Sequence, residues 1–281
     1  MLMSEAEMAR HLLGLVDAVR AGLPRVTVDA LLNHLELKRI DEEPPGGQEG
    51  LYVRELQAVF LSPKIRSAER KQFTGFHEGT HALVDRDALL REQLAELCSD
   101  DQAERRVIEL LCDIGAAEFL MPRESFVPLM RSHSPSVRCI QQLEAEFPGA
   151  SLPAIAQQIA HYTVPAGLVL VCAHGSIPGA GAPDRARVHI QYSFVRPVTG
   201  SARCRPRPRL YQPIRADHPI AAMFEGSAPF SGTTYYPYNT DKRIPCWCEA
   251  IWHSPSSRVV AILTDKDQRQ PAREQQSLSF E

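Results

Sequence analysis

Two histidines and a glutamate fall within five residues at His77-Glu78-Gly79-Thr80-His81. Positions four apart on a helix share one face, so both imidazoles project to the same side. That spacing suits two neutral nitrogen ligands at ~2.0–2.1 Å from one Zn²⁺. Glu78 then stands beside the metal rather than on it, where it can take a proton from an attacking water and hand it to a leaving amine. A chance match is the competing reading. Against it, Phe73, Phe76, Thr80, Leu83 and Val84 give the same segment an apolar side to hold against a core. Gly79 is out of place, because glycine inside a helix costs ~1 kcal/mol relative to alanine. Close approach of substrate or of a neighbouring backbone would explain it, and so would plain drift.

A catalytic zinc keeps three protein ligands and one open position. The metzincin extension needs a glycine and a third histidine where this chain has Val84 and Asp87, so that pattern fails. Asp87 stays a conceivable oxygen ligand. A better source is the segment Val107–Ala117, apolar almost all round and therefore expected as a buried helix. Only Glu109 and Asp113 interrupt it, on one face. Buried carboxylates normally pair or bind metal. Glu109 as third ligand, with Asp113 orienting a histidine N–H behind it, satisfies both. Salt bridges to Arg105 or Arg106 are the bland alternative, and Asp113 itself the lesser ligand candidate.

Taken together, these residues resemble the ImmA/IrrE family of metallopeptidases. The match runs from Gln72 to Leu83, resumes at Glu109-Leu110-Leu111-Cys112-Asp113 and finishes with Ala116-Ala117-Glu118-Phe119-Leu120-Met121-Pro122. Cys112-Asp113 replaces the family's usual Ala-Asn, and Gly115 replaces an aromatic. The resemblance implies a zincin-like α+β peptidase domain with His77, His81 and Glu109 as metal ligands and Glu78 as general base. The implied cofactor is Zn²⁺, with Mn²⁺ the alternative in the cell. Gly50-Leu51-Tyr52 stands where the family often has Gly-x-Tyr. A Tyr52 phenol reaching the metal would stabilise a tetrahedral oxyanion, whereas the bland reading packs it at a strand edge. The longer arrangement resembles the three-domain branch of the family, which joins the peptidase to a helix-turn-helix-like module and a GAF-like sensor. That branch is associated with cutting an XRE-type repressor and releasing a DNA-damage response.

The elements that must position these residues can be read from periodicity and punctuation. Residues 5–20 form an amphipathic helix, and a second helix covers 27–37. After the Pro44-Pro45-Gly46-Gly47 break, 51–53 and 58–61 read as a hairpin. The motif lies on a long helix from Ala68 to about Val84. Residues 92–101 read as a loop or short exposed helix, and a further helix runs from about Ala103 to Met121. Shorter helices fit 124–132, 136–146 and 151–161. The texture changes after Pro165, with strands at 166–173, 188–194 and 258–264, dense proline from 197 to 245 and a frayed tail from about 266. The expected division is a metallopeptidase domain over 1–123, a helix-turn-helix-like module over 124–164 and a GAF-like α+β domain over 165–281.

Bulk properties exclude several functions. With 31 basic and 34 acidic residues the formal charge is −3, which offers no general attraction to phosphate backbones. Leu152–Ile159, the expected reading helix of the central module, holds no Lys or Arg, so direct DNA binding is not expected. Acidic residues follow the first methionines, and no run approaches the ~20 apolar residues of a membrane span. Seven cysteines at irregular spacing suggest reduced thiols and a cytoplasmic location. His133, His161, His174 and His189 read as ordinary surface or core histidines. The leading reading is a regulatory peptidase acting on an XRE-type repressor. The alternative is a non-enzymatic DNA-binding regulator on a retained peptidase scaffold, and a third places a small-molecule or redox signal at the C-terminal domain.

Overall fold

The computed structural model describes residues 3–132, 136–162, 167–176, 187–195, 208–238 and 243–265. The chain forms two compact units, one of Met1–Ser125 with Glu144–Ser151 and one of Phe126–Leu143 with Leu152–Glu281.

The first unit opens with α1 (Glu5–Gly22), started by a capping box in which Ser4 and Glu7 exchange side-chain and backbone hydrogen bonds. Met8, Leu12 and Val16 recur one turn apart and are buried. Thr27 caps α2 (Val28–His34) by accepting from the Ala30 N–H. This helix is shorter than the 27–37 expected. Glu36 turns left-handed at φ 53°, and the Leu37 N–H bonds back to the Leu32 carbonyl, a Schellman closure. The chain then enters β1 (Lys38–Ile40), β2 (Gly50–Val53) and β3 (Ala58–Leu61). β2 and β3 form the expected antiparallel hairpin, while β1 pairs parallel to β3, giving the order β1-β3-β2 with β2 at an edge.

Three helices follow: α3 (Ala68–Arg86), α4 (Ala88–Leu97) and α5 (Asp101–Leu120), capped by Ser67, Asp87 and Asp100 respectively. α4 corrects the expected loop or exposed helix at 92–101. It starts earlier and buries Leu90, Gln93 and Leu94, which sit on one face while its charges cover the other. One apolar cluster joins Met8, Leu12, Leu31, Leu32, Val59, Phe76, Leu90, Leu111 and Phe119, with the Phe76 and Phe119 rings stacked at 5.1 Å.

Close packing around α3 explains Gly79. A Cβ there would lie 2.6 Å from Leu31 Cδ2, and one at Gly75 would lie 2.6 Å from Val28 Cγ1, so α2 seats directly on the bare backbone of α3. On α5, a Cβ at Gly115 would lie 2.6 Å from Thr80 Cγ2. A neighbouring element, rather than drift, therefore occupies the space that a side chain at Gly79 would need.

Beyond α5 lie α6 (Arg123–Ser132), α7 (Ile140–Glu146) and α8 (Leu152–Tyr162), close to the three short helices expected. The second unit carries β4 (Leu168–Gly175), β5 (Arg187–Val195), the short α9 (Pro219–Ala222), β6 (Phe230–Tyr235), β7 (Pro245–His253) and β8 (Arg258–Thr264). These make a five-stranded antiparallel sheet in the order β5-β4-β8-β7-β6. One face buries Leu168, Leu170, Cys172, Cys246, Cys248, Ala250, Val259 and Leu263 beneath Ile220, Met223 and Tyr236. α8 packs on β4 and β5 and buries Leu152, Ile155, Gln158 and Ile159. The chain is thus mixed α+β, as expected. β6 and β7 were not anticipated within the proline-dense stretch, and the tail from 266 lies outside the described residues. No described helix is long and apolar enough to cross a membrane.

Candidate metal centre

α3 and α5 pack side by side and bring three expected ligands together. His77 Nε2 and His81 Nε2 lie 3.1 Å apart. Glu109 approaches with one carboxylate oxygen 3.2 Å from His77 Nε2 and the other 3.5 Å from His81 Nε2. In a tetrahedral site with ligand bonds of ~2.0–2.1 Å, neighbouring donor atoms sit about 3.3–3.4 Å apart. The two histidines stand close to that spacing, Glu109 meets each of them through a different oxygen, and one ligand atom from each of the three lies within 4.8 Å of the other two, so small side-chain adjustments close the set on a zinc ion. Two ring nitrogens facing each other at this distance present either opposed lone pairs or opposed protons unless a proton or a cation lies between them. Among the described residues, this is the group of His, Cys, Asp and Glu side chains able to hold a metal.

The setting of Glu109 differs from the sequence expectation. Its side chain is 61% exposed and that of Asp113 44% exposed. The helix is buried along Val107, Leu111, Cys112 and Gly115–Phe119, while its outer face up to Leu110 meets solvent. Glu109 is therefore a rim residue, and the cluster opens to solvent on that side.

Asp113 Oδ1 lies 3.1 Å from His77 Nδ1. This contact fixes Nδ1 as the protonated nitrogen and leaves the Nε2 lone pair for a metal. Burial works against a His77 cation, but the hydrogen bond to Asp113 and the charges of Glu78, Asp113 and Glu109 outweigh it and hold the pKa above its usual value. For His81, burial and the neighbouring His77 push the pKa down to about 4. Asp87 takes no part. It caps α4 through the Leu90 N–H at 2.8 Å and pairs with His11 at 3.1 Å.

Glu78 is 7% exposed and turns its carboxylate to the sheet, where Oε2 accepts from the Tyr52 backbone N–H at 2.8 Å. Burial raises its pKa, opposed by His77 and the Tyr52 N–H, and the net position is above normal. That is the direction a general base near neutral pH requires. The Tyr52 phenol donates to Asp85 at 3.3 Å, and Asp85 also pairs with Arg54 at 3.1 Å. Tyr52 therefore meets Glu78 through its main chain, a contact that no side-chain pattern announces. The Cys112 thiol, buried among Glu109, Glu78 and Asp113, has its pKa pushed far up and stays protonated. Among the other histidines, His189 bonds the Arg187 carbonyl at 3.1 Å, and His133 lies outside the described residues.

No protein-family model matches the chain. A solved structure described as a Mycobacterium tuberculosis transcriptional regulator is similar in fold, with a TM-score of 0.55 at 12% identity, covering 91% of this chain and 76% of that one. The radiation response metalloprotease IrrE of Deinococcus deserti is 29% identical over 82% of this chain and 80% of its own length. Its namesake from Deinococcus radiodurans is 24% identical over 92% of this chain and 77% of its own. The chain is thus homologous, over most of its length, to metalloproteases of the IrrE kind.

Proposed function

We propose that this protein is a zinc-dependent endopeptidase that cuts an XRE-type helix-turn-helix repressor at one site and so releases a radiation or DNA-damage response in the cytoplasm. The observation that carries the reading is the convergence of His77, His81 and Glu109, with ligand atoms within 4.8 Å of one another, and of a Glu78 carboxylate near enough to feel the charges of His77 and Glu109. Bound zinc supplies Lewis acidity there. Asp113 keeps His77 in the tautomer that offers Nε2. The Glu78 carboxylate takes the proton of the attacking water and returns it to the departing amine nitrogen. Exposure of Glu109 leaves a way in for a peptide from the solvent side. Selection of one partner, rather than of any unfolded chain, falls to the helices and sheet beyond Pro122, where we place a helix-turn-helix-like module and a GAF-like sensor open to a small-molecule or redox signal. Direct reading of DNA by α8 is disfavoured by the burial of that helix against β4 and β5.

The test is to incubate the full-length protein and Zn²⁺ with each XRE-type repressor from its own genome. One discrete cut, lost with Glu78→Gln or a chelator, is expected. Rapid digestion of casein, or no cut in any repressor, would overturn the assignment.

A further inference from the structure

Glu78 is held from an unexpected side. β2 is an edge strand, and the Glu49 carbonyl accepts from the Ser62 N–H at 2.8 Å. Antiparallel alternation then points the main-chain groups of Leu51 and Val53 at β3 and those of Gly50 and Tyr52 outward. The outward Tyr52 N–H is the group that Glu78 Oε2 accepts from. Beside it, Gly50 has no side chain, and none would fit. A Cβ at residue 50 would lie 2.8 Å from both Cγ and Oε1 of Glu78 and 2.5 Å from Cγ2 of Thr74. Thr74 and Glu78 are one turn apart on α3, and both are buried. Thr74 is β-branched and stiff on its helix, whereas the Glu78 carboxylate is the free end of a longer side chain. A methyl at 50 would therefore displace the carboxylate first.

We propose that the outer edge of β2 is a positioning device for Glu78, with Gly50 as the positioning residue: its bare Cα makes the slot in which the Tyr52 N–H fixes the carboxylate beside the histidine pair. The kinetic consequence rests on the peptidase reading; the slot itself does not. A buried carboxylate that loses its N–H partner must find another or move. A displacement of about 1 Å in a catalytic group is enough to cost about 10²-fold in rate.

The experiment uses the full-length, zinc-loaded protein and reads the Tyr52 amide by NMR alongside repressor cleavage. In the wild type the Tyr52 amide proton should be shifted downfield by its carboxylate partner and move upfield in Glu78→Ala. Gly50→Ala should bind one zinc per chain yet lose the downfield shift, and kcat should fall about 10²-fold with KM little changed. Adding Thr74→Ser to Gly50→Ala removes the 2.5 Å contact but leaves those of 2.8 Å to Glu78, so stability should partly recover while the amide shift and the rate stay lost. A role in packing alone would lower stability and leave the kcat-to-KM split unmoved. The proposal is overturned if Gly50→Ala keeps the wild-type Tyr52 resonance, or loses it with kcat unchanged. Should Gly50→Ala not fold, Glu78→Asp withdraws the carboxylate without crowding the strand, and an unmoved Tyr52 resonance there is equally fatal. If the wild type cuts no repressor, the peptidase reading falls and the amide shifts alone decide the slot.

Discussion

The α3–α5 pair and the five-stranded sheet both carry clustered polar side chains, but they direct them differently. In the sheet unit, His218 takes the Ile220 N–H at 3.2 Å and bonds the Tyr235 carbonyl at 2.9 Å. Ser193 donates to the Pro208 carbonyl, Gln212 to that of Pro237, and His189 bonds the Arg187 carbonyl. Each of these ties a loop or strand end to main chain, which is how buried polar groups are ordinarily satisfied. Between α3 and α5 the imidazoles of His77 and His81 and the carboxylates of Glu109 and Asp113 instead turn toward one another, while the Glu78 carboxylate closes on the Tyr52 N–H. Polar atoms that close on the backbone build architecture; electron-rich atoms that converge await a cation.

That contrast can be broken experimentally, and the largest effect should come from removing a donor. His81→Ala or Glu109→Ala should reduce metal from one ion per chain to near none and abolish cleavage; elemental analysis showing undiminished metal would remove that residue from the ligand set. Glu78→Gln should keep the metal while turnover falls by about 10²-fold or more. Near-normal turnover would place the base elsewhere. Asp113→Ala frees His77 to rotate, and metal affinity should drop by about 10–100-fold in a competition titration with a chelator.

A gentler test uses protons on the metal-free protein. His81 has a folded pKa of about 4 against an unfolded value of ~6.5. Between those values the unfolded chain binds more protons at this site, so the His81 contribution is fully present above pH ~6.5 and is lost as pH falls toward 4. The raised His77 pKa works in the opposite sense, so the His81 loss is read as the difference between wild type and His81→Gln in denaturant melts in chelator at pH 7 and pH 5. The smallest effect on the metal centre belongs to the sheet: Leu170→Ala should destabilise the second unit by about 2–5 kcal/mol and leave zinc affinity unchanged. Loss of zinc in that variant would mean that the two units are not independent.

Legibility in the sequence followed physical length and self-containment. The motif helix was readable because nineteen residues of α3 carry their own cap, periodicity and chemistry. β1 was not, since three residues offer no periodicity and its partner β3 lies far along the chain. α4 is legible only as a loop or short exposed helix, because its charged outer face hides Leu90 and Leu94, whose burial is decided by neighbours. β6 and β7 sit among prolines that read as breakers, yet Pro245 only opens its strand, where no preceding ladder bond is needed. The apolar run around Glu109 predicts a burial that its side chain does not have. Glu109 is reached instead through the packing of α3 on α5, which tertiary contact alone dictates. The Glu78–Tyr52 bond left no trace in side-chain types beyond Gly50.

The three bare Cα atoms that grip α3, Gly75 and Gly79 against α2 and Gly115 of α5 against Thr80, bear on how such an enzyme can be switched. Backbone packed this closely cannot turn or slide by a fraction of a residue, since interiors are close-packed and change by discrete jumps. The histidine pair is therefore a fixed jaw, in place before any ligand arrives. Under the proposed function, vigilance of that kind leaves control to the supply of metal and to the moment at which a partner offers its loop.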